Sequence, residues 1–438
     1  MTDTARTADI ETLLDRPFGG WRLMVFLLCG LVMAIEGFDM YMLGSLIPAL
    51  AAGLGVSQAA VTAIPVAQGI GLAFGYVALA PLADRFGRRP LILTCVLGFG
   101  LLTLATTQAT TLSQVSILRG MAFVFFGGIM PNTISLIAEL SALKTRSRNV
   151  ILLNAFFAFG AAMGSLIVPR LIPAFGWQGA FWAGGIAPLA LLPVLYLVLP
   201  ESVRFMVVRG RPVEQIRKFM RRIAPEAATV ERFTTAEPPA GKIPLAALFA
   251  EGRLANTLLF MLAGGMMMLV GNLVAVWAPT YWTTLGGYSM PQAAGLFSTS
   301  SIGAIIWPFL MIVVIGWIGL QRTLIGCYAL GALSMLVFAI QPATPPLMIF
   351  VGVTYGAFVV GAISSLYALI AAAYPTHMRA TALGWTSGLG RLLSIAGPAI
   401  GGYMLAQHWG QAAIALVFSI PLAIAGLAIM MVRLRQPA

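Results

Sequence analysis

The stretch from Trp21 to Leu50 reads WRLMVFLLCGLVMAIEGFDMYMLGSLIPAL, and only Arg22, Glu36 and Asp39 interrupt it with charge. A helix crosses a bilayer with about 20 consecutive apolar residues, so this stretch spans one with length to spare. It is also too long to be the apolar core of a cleavable signal peptide. An ionised carboxylate at such depth costs about 3 kcal/mol or more unless something compensates it. At i and i+3, Glu36 and Asp39 share one helix face, about 60° apart. After Glu251 the chain holds no further acid: Gly252 to Ala438 contains neither Asp nor Glu. Carboxylate chemistry inside a membrane therefore belongs to the N-terminal half.

The rest of the 438 residues repeats the pattern, with 59% hydrophobic and only 9% charged residues, too few charges to cover a soluble surface. Spans are expected at about 21–50, 58–82, 90–107, 112–139, 149–171, 177–199, 254–283, 291–315, 323–340, 345–373, 380–405 and 410–432. The segment 200–253 differs in kind: it is rich in Arg, Lys, Pro and Glu and carries the run Arg217, Lys218, Arg221, Arg222. The reading is an all-α polytopic membrane protein with twelve transmembrane helices in two six-helix bundles. Its parts are a tail over 1–20, a bundle over 21–199, a linker over 200–253 with a short amphipathic helix, a second bundle over 254–432 and a tail over 433–438.

The formal charge of +12 sits in short segments between spans, which is a topology signal rather than a nucleic-acid patch. Arg85, Arg88, Arg89, Lys144, Arg146, Arg148 and the linker lie in alternate connections, while most of the others carry no Lys or Arg. By the positive-inside rule both termini are cytoplasmic. Cys29, Cys95 and Cys327 fall in separate spans and suit small buried apolar positions. His377 and His408 lie at span ends and read as solvated.

Between spans 2 and 3 stands Ala80-Pro-Leu-Ala-Asp-Arg-Phe-Gly-Arg-Arg89. Asp84 accepts from neighbouring basic groups, Gly87 permits a tight turn, and Arg85, Arg88 and Arg89 supply charge, so the cluster suits a latch on a moving bundle. Glu139 and Arg379, at span ends, join such loop networks. The segment resembles the G-x-L-a-D-R-x-G-R-R signature of the major facilitator superfamily, with Ala80 for the first glycine. Pro200-Glu-Ser-Val-Arg-Phe205 is similar to the PESPR-type motif of sugar porters and organic-ion transporters. Tyr374-Pro-Thr-His-Met-Arg-Ala-Thr381, Gly388-Leu-Gly-Arg391, Glu36-Gly-Phe-Asp39 and Met130-Pro-Asn-Thr133 resemble segments of aromatic acid:proton symporters. Two departures stand out: span 10 reads Gly361-Ala-Ile-Ser-Ser-Leu-Tyr367, without the amide-bearing segment usual in relatives, and Gly316 to Arg322 lacks an acidic partner.

The intramembrane charges leave alternatives. Asp39 lies about 16 Å from the outer end of its span and Arg119 about 12 Å from the outer end of span 4, depths that suit an ion pair. That pair is either a static tie or a proton-gated one. Glu36 is either a second proton site or a neutral acid bonded to a neighbouring helix. Arg391 sits near the midplane of span 11 in the half without carboxylates, so it pairs across the cavity, caps carbonyls or waits for an anion, which its planar fork suits. The resemblance favours a substrate carboxylate at Arg391. Phe38, Tyr41, Trp277, Tyr281, Trp282, Trp307, Tyr355, Tyr367 and Trp385 are candidates to line a cavity for a flat ring, with Asn272, Ser364 and Ser365 as polar partners.

The resemblance implies proton-coupled import of small organic anions, aromatic carboxylates first, by alternating access in a bacterial-type inner membrane. The alternative is a proton-coupled exporter of drugs or metabolites on the same fold. A membrane sensor fits poorly, since the sequence carries no signalling domain. No HExxH, Ser/His/Asp set, nucleotide-binding loop or metal cluster is evident, so an enzyme, an ATP-driven pump, a metal and a cofactor are not expected. The expected partners are a small organic anion, the proton and the lipid bilayer, with no nucleic acid, and the expected unit is a monomer.

Overall fold

The computed structural model describes residues 7–16, 18–79, 82–142, 145–235, 248–250, 253–337, 344–374 and 379–433, without the side chains at 84, 147, 312, 371, 379–381, 384 and 387–389. Ala80, Pro81, Lys144, most of the later linker, Glu251 and His377 thus lie outside the described residues, as do the side chains of Asp84 and Arg379. In chain order the elements are β1 (Thr7–Asp9), α1 (Ile10–Leu14), α2 (Gly20–Leu54), α3 (Ala63–Ala78), α4 (Ala83–Phe86), α5 (Arg88–Thr106), α6 (Leu112–Glu139), α7 (Arg146–Phe175), α8 (Gln178–Val198), α9 (Val203–Val208) and α10 (Val213–Met220). There follow β2 (Arg232–Thr234), α11 (Leu254–Gly286), α12 (Met290–Ser298), α13 (Ser300–Ile318), α14 (Leu320–Val337), α15 (Pro345–Tyr355), α16 (Ile363–Ala373), α17 (Arg379–Ser394), α18 (Ala396–Ala406) and α19 (Gln411–Met431).

Among the described residues, 11 helical passages are each long and apolar enough to cross a membrane. The passage expected over 380–405 is instead two helices, α17 and α18, broken at Ile395. Pro398 explains the break: it has no N–H to offer the Ser394 carbonyl, and its ring crowds that same carbonyl. Span 10 is interrupted too, by a π-helical turn over Gly356–Val360 between α15 and α16. Interruptions of this kind at membrane depth are tolerated where backbone is buried in protein or lines a cavity.

Small residues set the helix contacts within each half. Gly160 and Gly164 of α7 face α2, where a Cβ on Gly160 would land on the Ala34 carbonyl and one on Gly164 would lie 2.5 Å from the Phe38 carbonyl oxygen. Gly37 of α2 returns the contact against Phe157. This small-xxx-small spacing lets backbones touch where lipid offers no hydrophobic drive for helix association. Gly160→Val is expected to lower the yield of folded, monodisperse protein and its melting temperature sharply. Gly316→Ala, with nothing within 4 Å, should leave both unchanged. Size-exclusion profiles of detergent-extracted protein read the difference.

One apolar core fills the C-terminal half and reaches the N-terminal half at Met42, Leu46, Leu50, Val61, Ile64, Val115 and Phe181. These residues lie toward the helix ends remote from the chain termini. A second core, including Val25, Cys29, Met33, Ile92, Phe99, Leu136 and Leu195, belongs to the N-terminal half alone. Contacts between the halves follow the same division: Thr280 Oγ1 donates to the Gly44 carbonyl at 3.5 Å, and a Cβ on Gly402 would strike Thr62. The halves are therefore sealed together at the end away from the termini.

Within the segment expected as a tail over 1–20, the described residues 7–14 pack on the linker. β1 pairs in parallel with β2 of the linker, and Ile10 and Leu13 pack on Val203, Ile216, Met220 and Phe233. The amphipathic helix expected in the linker is α10, which buries Ile216 and Met220. Arg22 ties this unit to the bundle, donating to the carbonyls of Leu14, Arg16 and Leu140.

Candidate functional site

Four helices of the N-terminal half converge on Arg119. The α6 guanidinium is fully buried and pairs with Asp39 of α2, itself fully buried. Arg119 also donates to Thr103 Oγ1 of α5 at 3.1 Å. With the Gln68 amide of α3 turned to face it, the Gln68 oxygen accepts from Nε at 3.1 Å and Nη2 at 2.9 Å. The rings of Phe123 and Phe181 lie 5.1 and 5.0 Å from the guanidinium carbon. Gly184 leaves room beside Asp39, since a Cβ there would stand 3.3 Å from Oδ1. A buried charge persists only when paired and hydrogen-bonded; the guanidinium meets both conditions, while Asp39 Oδ1 has no hydrogen-bond partner among the described residues.

Glu36, one turn away on α2, is different. It is 1% exposed, and neither carboxylate oxygen has a hydrogen-bond partner among the described residues. The Met130 backbone approaches it without closing a hydrogen bond, while Asp39 and Arg391 lie in electrostatic reach.

Arg391 on α17 is partly exposed, and its guanidinium carbon sits 4.1 Å from the centroid of the Tyr76 ring on α3. A cation–π contact of this kind holds the charge without itself forming a hydrogen-bonded ion pair, so the planar N–H fork can still meet a carboxylate. The Tyr76 hydroxyl meets Met130 Sδ at 3.5 Å, and the phenol interacts electrostatically with Glu36 and with Tyr367 of α16. Ser364 is exposed and shares a helix face with Tyr367 at i,i+3. Glu36, Tyr76, Tyr367 and Arg391 thus come from both halves to one place.

The aromatic candidates divide. Tyr41 stacks with Phe297 of α12 at 6.2 Å and lies in electrostatic reach of Tyr355, whose hydroxyl donates to the Gly271 carbonyl at 2.9 Å. These contacts join the halves near the sealed end. Phe38 is half-buried at the α2–α7 contact, and Asn272 is half-buried, adjacent to Gly271. One candidate needs correction. Trp277 is fully buried, its Nε1–H donating to the Pro398 carbonyl at 2.9 Å and its ring packed where a Cβ on Gly401 would clash, so it holds α11 to α18 rather than lining a cavity. Trp385 lies about 120° around α17 from Arg391. It shares an exposed apolar stripe with Leu392.

At the end near the termini, the loop cluster gains Glu201 and Ser202, which the sequence did not join to it. The Glu201 carboxylate accepts from the backbone N–H of Arg88 at 2.9 Å and of Ser202 at 2.8 Å. Gly87, at φ 105°, places its missing Cβ where Glu201 sits, so both its conformation and its size are required. Glu139 takes Arg88 Nη2 at 2.6 Å and the Ser202 hydroxyl. Arg89 donates to the Tyr196 carbonyl at 2.6 Å, and Arg85 packs over Phe86.

A family model described as Major Facilitator Superfamily matches residues 29–392. The chain belongs to that superfamily. Among its relatives this major facilitator is 34% identical over 429 residues to a gallate transporter of Pseudomonas putida, covering 96% of this chain and 94% of that one. It is 31% identical over 433 residues to the 4-hydroxybenzoate transporter PcaK of Acinetobacter baylyi, covering 96% and 93%. The inward-open structure of the xylose transporter XylE from E. coli superposes with a TM-score of 0.73 at 17% identity, covering 93% of this chain and 95% of that one. That likeness concerns the fold: twelve helices in two six-helix bundles, with α17 and α18 together making the eleventh.

Tyr76, Gln68, Thr103, Glu201 and Ser202 are the site residues that sequence reading missed in this facilitator. Tyr76 follows Gly75, whose missing Cβ lets α3 touch Val124 and Gly127 of α6. A polar ring beside a tight helix contact was the available signal.

Proposed function

We propose that this chain is a proton-coupled importer of small aromatic carboxylates, working as a multi-pass protein of a bacterial plasma membrane with both termini cytoplasmic. The observation that carries the reading is Arg391: a guanidinium stacked on Tyr76, its fork unused by any described protein group, in a half with no acid at all. A carboxylate on a flat ring matches the fork with its charge and the surrounding phenols with its face. The relatives named for gallate and 4-hydroxybenzoate handle molecules of that chemistry. Asp39, Glu36 and Arg119 supply the proton-responsive charges. The cluster of Asp84, Arg85, Gly87, Arg88, Arg89, Glu139 and Glu201 latches the end that must open and close. One chain supplies every group, so a monomer suffices, and transport forms no covalent intermediate.

Purified protein in liposomes, acid outside and neutral inside, is expected to concentrate 4-hydroxybenzoate well above the external level. Dissipating the gradient should collapse the accumulation. Accumulation that ignores the gradient, or net extrusion under it, would refute the assignment and in the second case favour an exporter.

A further inference from the structure

We propose that Glu36 and the substrate carboxylate share Arg391 as their one counter-cation, so that the anion settles in the site only as Glu36 takes up a proton. This inference rests on the aromatic-acid reading above and assigns the step at which the proton enters. Glu36 is nearly inaccessible and both its oxygens lack a described hydrogen-bond partner. It lies in electrostatic reach of Arg391, with no direct salt bridge between them in this state, and Tyr76 is in reach of both. Arg119, a fully buried cation of the N-terminal half, is committed to Asp39, Gln68 and Thr103.

Among the described residues, the groups facing Glu36 are few. They are Arg391 of α17, Asp39 on its own helix, Tyr76 of α3, Cys95 of α5 and the Met130 backbone of α6. The other helices packed on α2 carry ionisable side chains only toward their ends: Arg146, Arg148 and Arg170 on α7, Tyr196 on α8 and Tyr281 on α11. A carboxylate arriving at Arg391 would therefore put a second negative charge beside one cation in a poorly screened interior. Proton uptake by Glu36 removes it: a substrate anion and one proton enter together, an O–H bond forms on Glu36, and the site's net charge is unchanged. Glu36 also borders an apolar recess lined by Val32, Ile35, Val96, Ile129, Pro188 and Leu191. Once Arg391 is taken by the substrate, that wall offers an ionised Glu36 no compensation, so the protonated acid is the form it then accommodates.

The test is a binding measurement on full-length protein in nanodiscs, with 4-hydroxybenzoate and its neutral amide as probes. In weakly buffered solution the wild type should take up about one proton per bound acid, and affinity should weaken by up to about tenfold per pH unit as pH rises through the Glu36 titration. The amide should bind without proton uptake. Glu36→Gln should bind the acid with no proton uptake and a flat pH profile, and Glu36→Asp should restore both. Acid binding to wild type without proton uptake, or an unchanged uptake and slope in Glu36→Gln, overturns the proposal. Wild type that binds neither probe refutes the aromatic-acid reading instead. Should Glu36→Gln not fold, the wild-type proton count and the acid–amide difference still decide.

Discussion

Arg391→Ala is expected to erase most of the preference for an aromatic acid over its neutral amide. A charge-assisted pair in a partly desolvated site is worth about 1.5–3 kcal/mol, which at about 1.4 kcal/mol per decade is roughly a 10- to 150-fold loss of affinity. The ring contact sharpens the expectation. Tyr76 holds the guanidinium carbon 4.1 Å from its ring centroid, so less side-chain entropy remains to be lost on binding. Arg391→Lys keeps the charge and loses the fork and the planar stack, so it should fall between wild type and alanine. Equilibrium binding of acid and amide to the three proteins gives the comparison. A folded alanine variant that still prefers the acid by the wild-type margin would make Arg391 structural and move the anion site elsewhere.

Asp39 is expected to separate folding from coupling. Asp39→Ala strands Arg119, which is 0% exposed, and breaking one partner of a buried pair costs about 3–5 kcal/mol, so little folded protein should reach the membrane. Asp39→Asn keeps an acceptor of the same shape, and Gln68 and Thr103 still hold the guanidinium, so that variant should fold. It should nonetheless lose gradient-driven accumulation. With Asp39 neutral, the Arg119 charge is left to the one other buried acid among the described residues of the half, Glu36, on the same helix as Asp39. Counterflow exchange, which moves no net proton, should survive. Asp39→Asn that concentrates substrate as well as wild type would reduce the Asp39–Arg119 pair to a static tie between α2 and α6.

The membrane spans were legible because each is specified locally: apolar length alone commits a segment to crossing, and basic residues between spans set its direction. Glu36, Asp39, Arg119 and Arg391 stood out for the same reason, since a charge inside an apolar run is conspicuous without a structure. Pro398 also carried its consequence in the sequence, although the expected single span over 380–405 passed over it. What only the tertiary structure decided is which side of each helix meets what. A helix that is apolar all round has no periodicity to distinguish protein-facing from lipid-facing residues, so Trp277 and Trp385 looked alike as aromatic candidates. One proved to be a buried strut and the other keeps 44% of its surface exposed. Tyr76 and Gln68 matter only because α3 brings them against helices far away in sequence. Glu201 matters because the chain after α8 returns to Gly87. The charges that do the work can be read one at a time, but their partners depend on distances that only the packed bundle fixes.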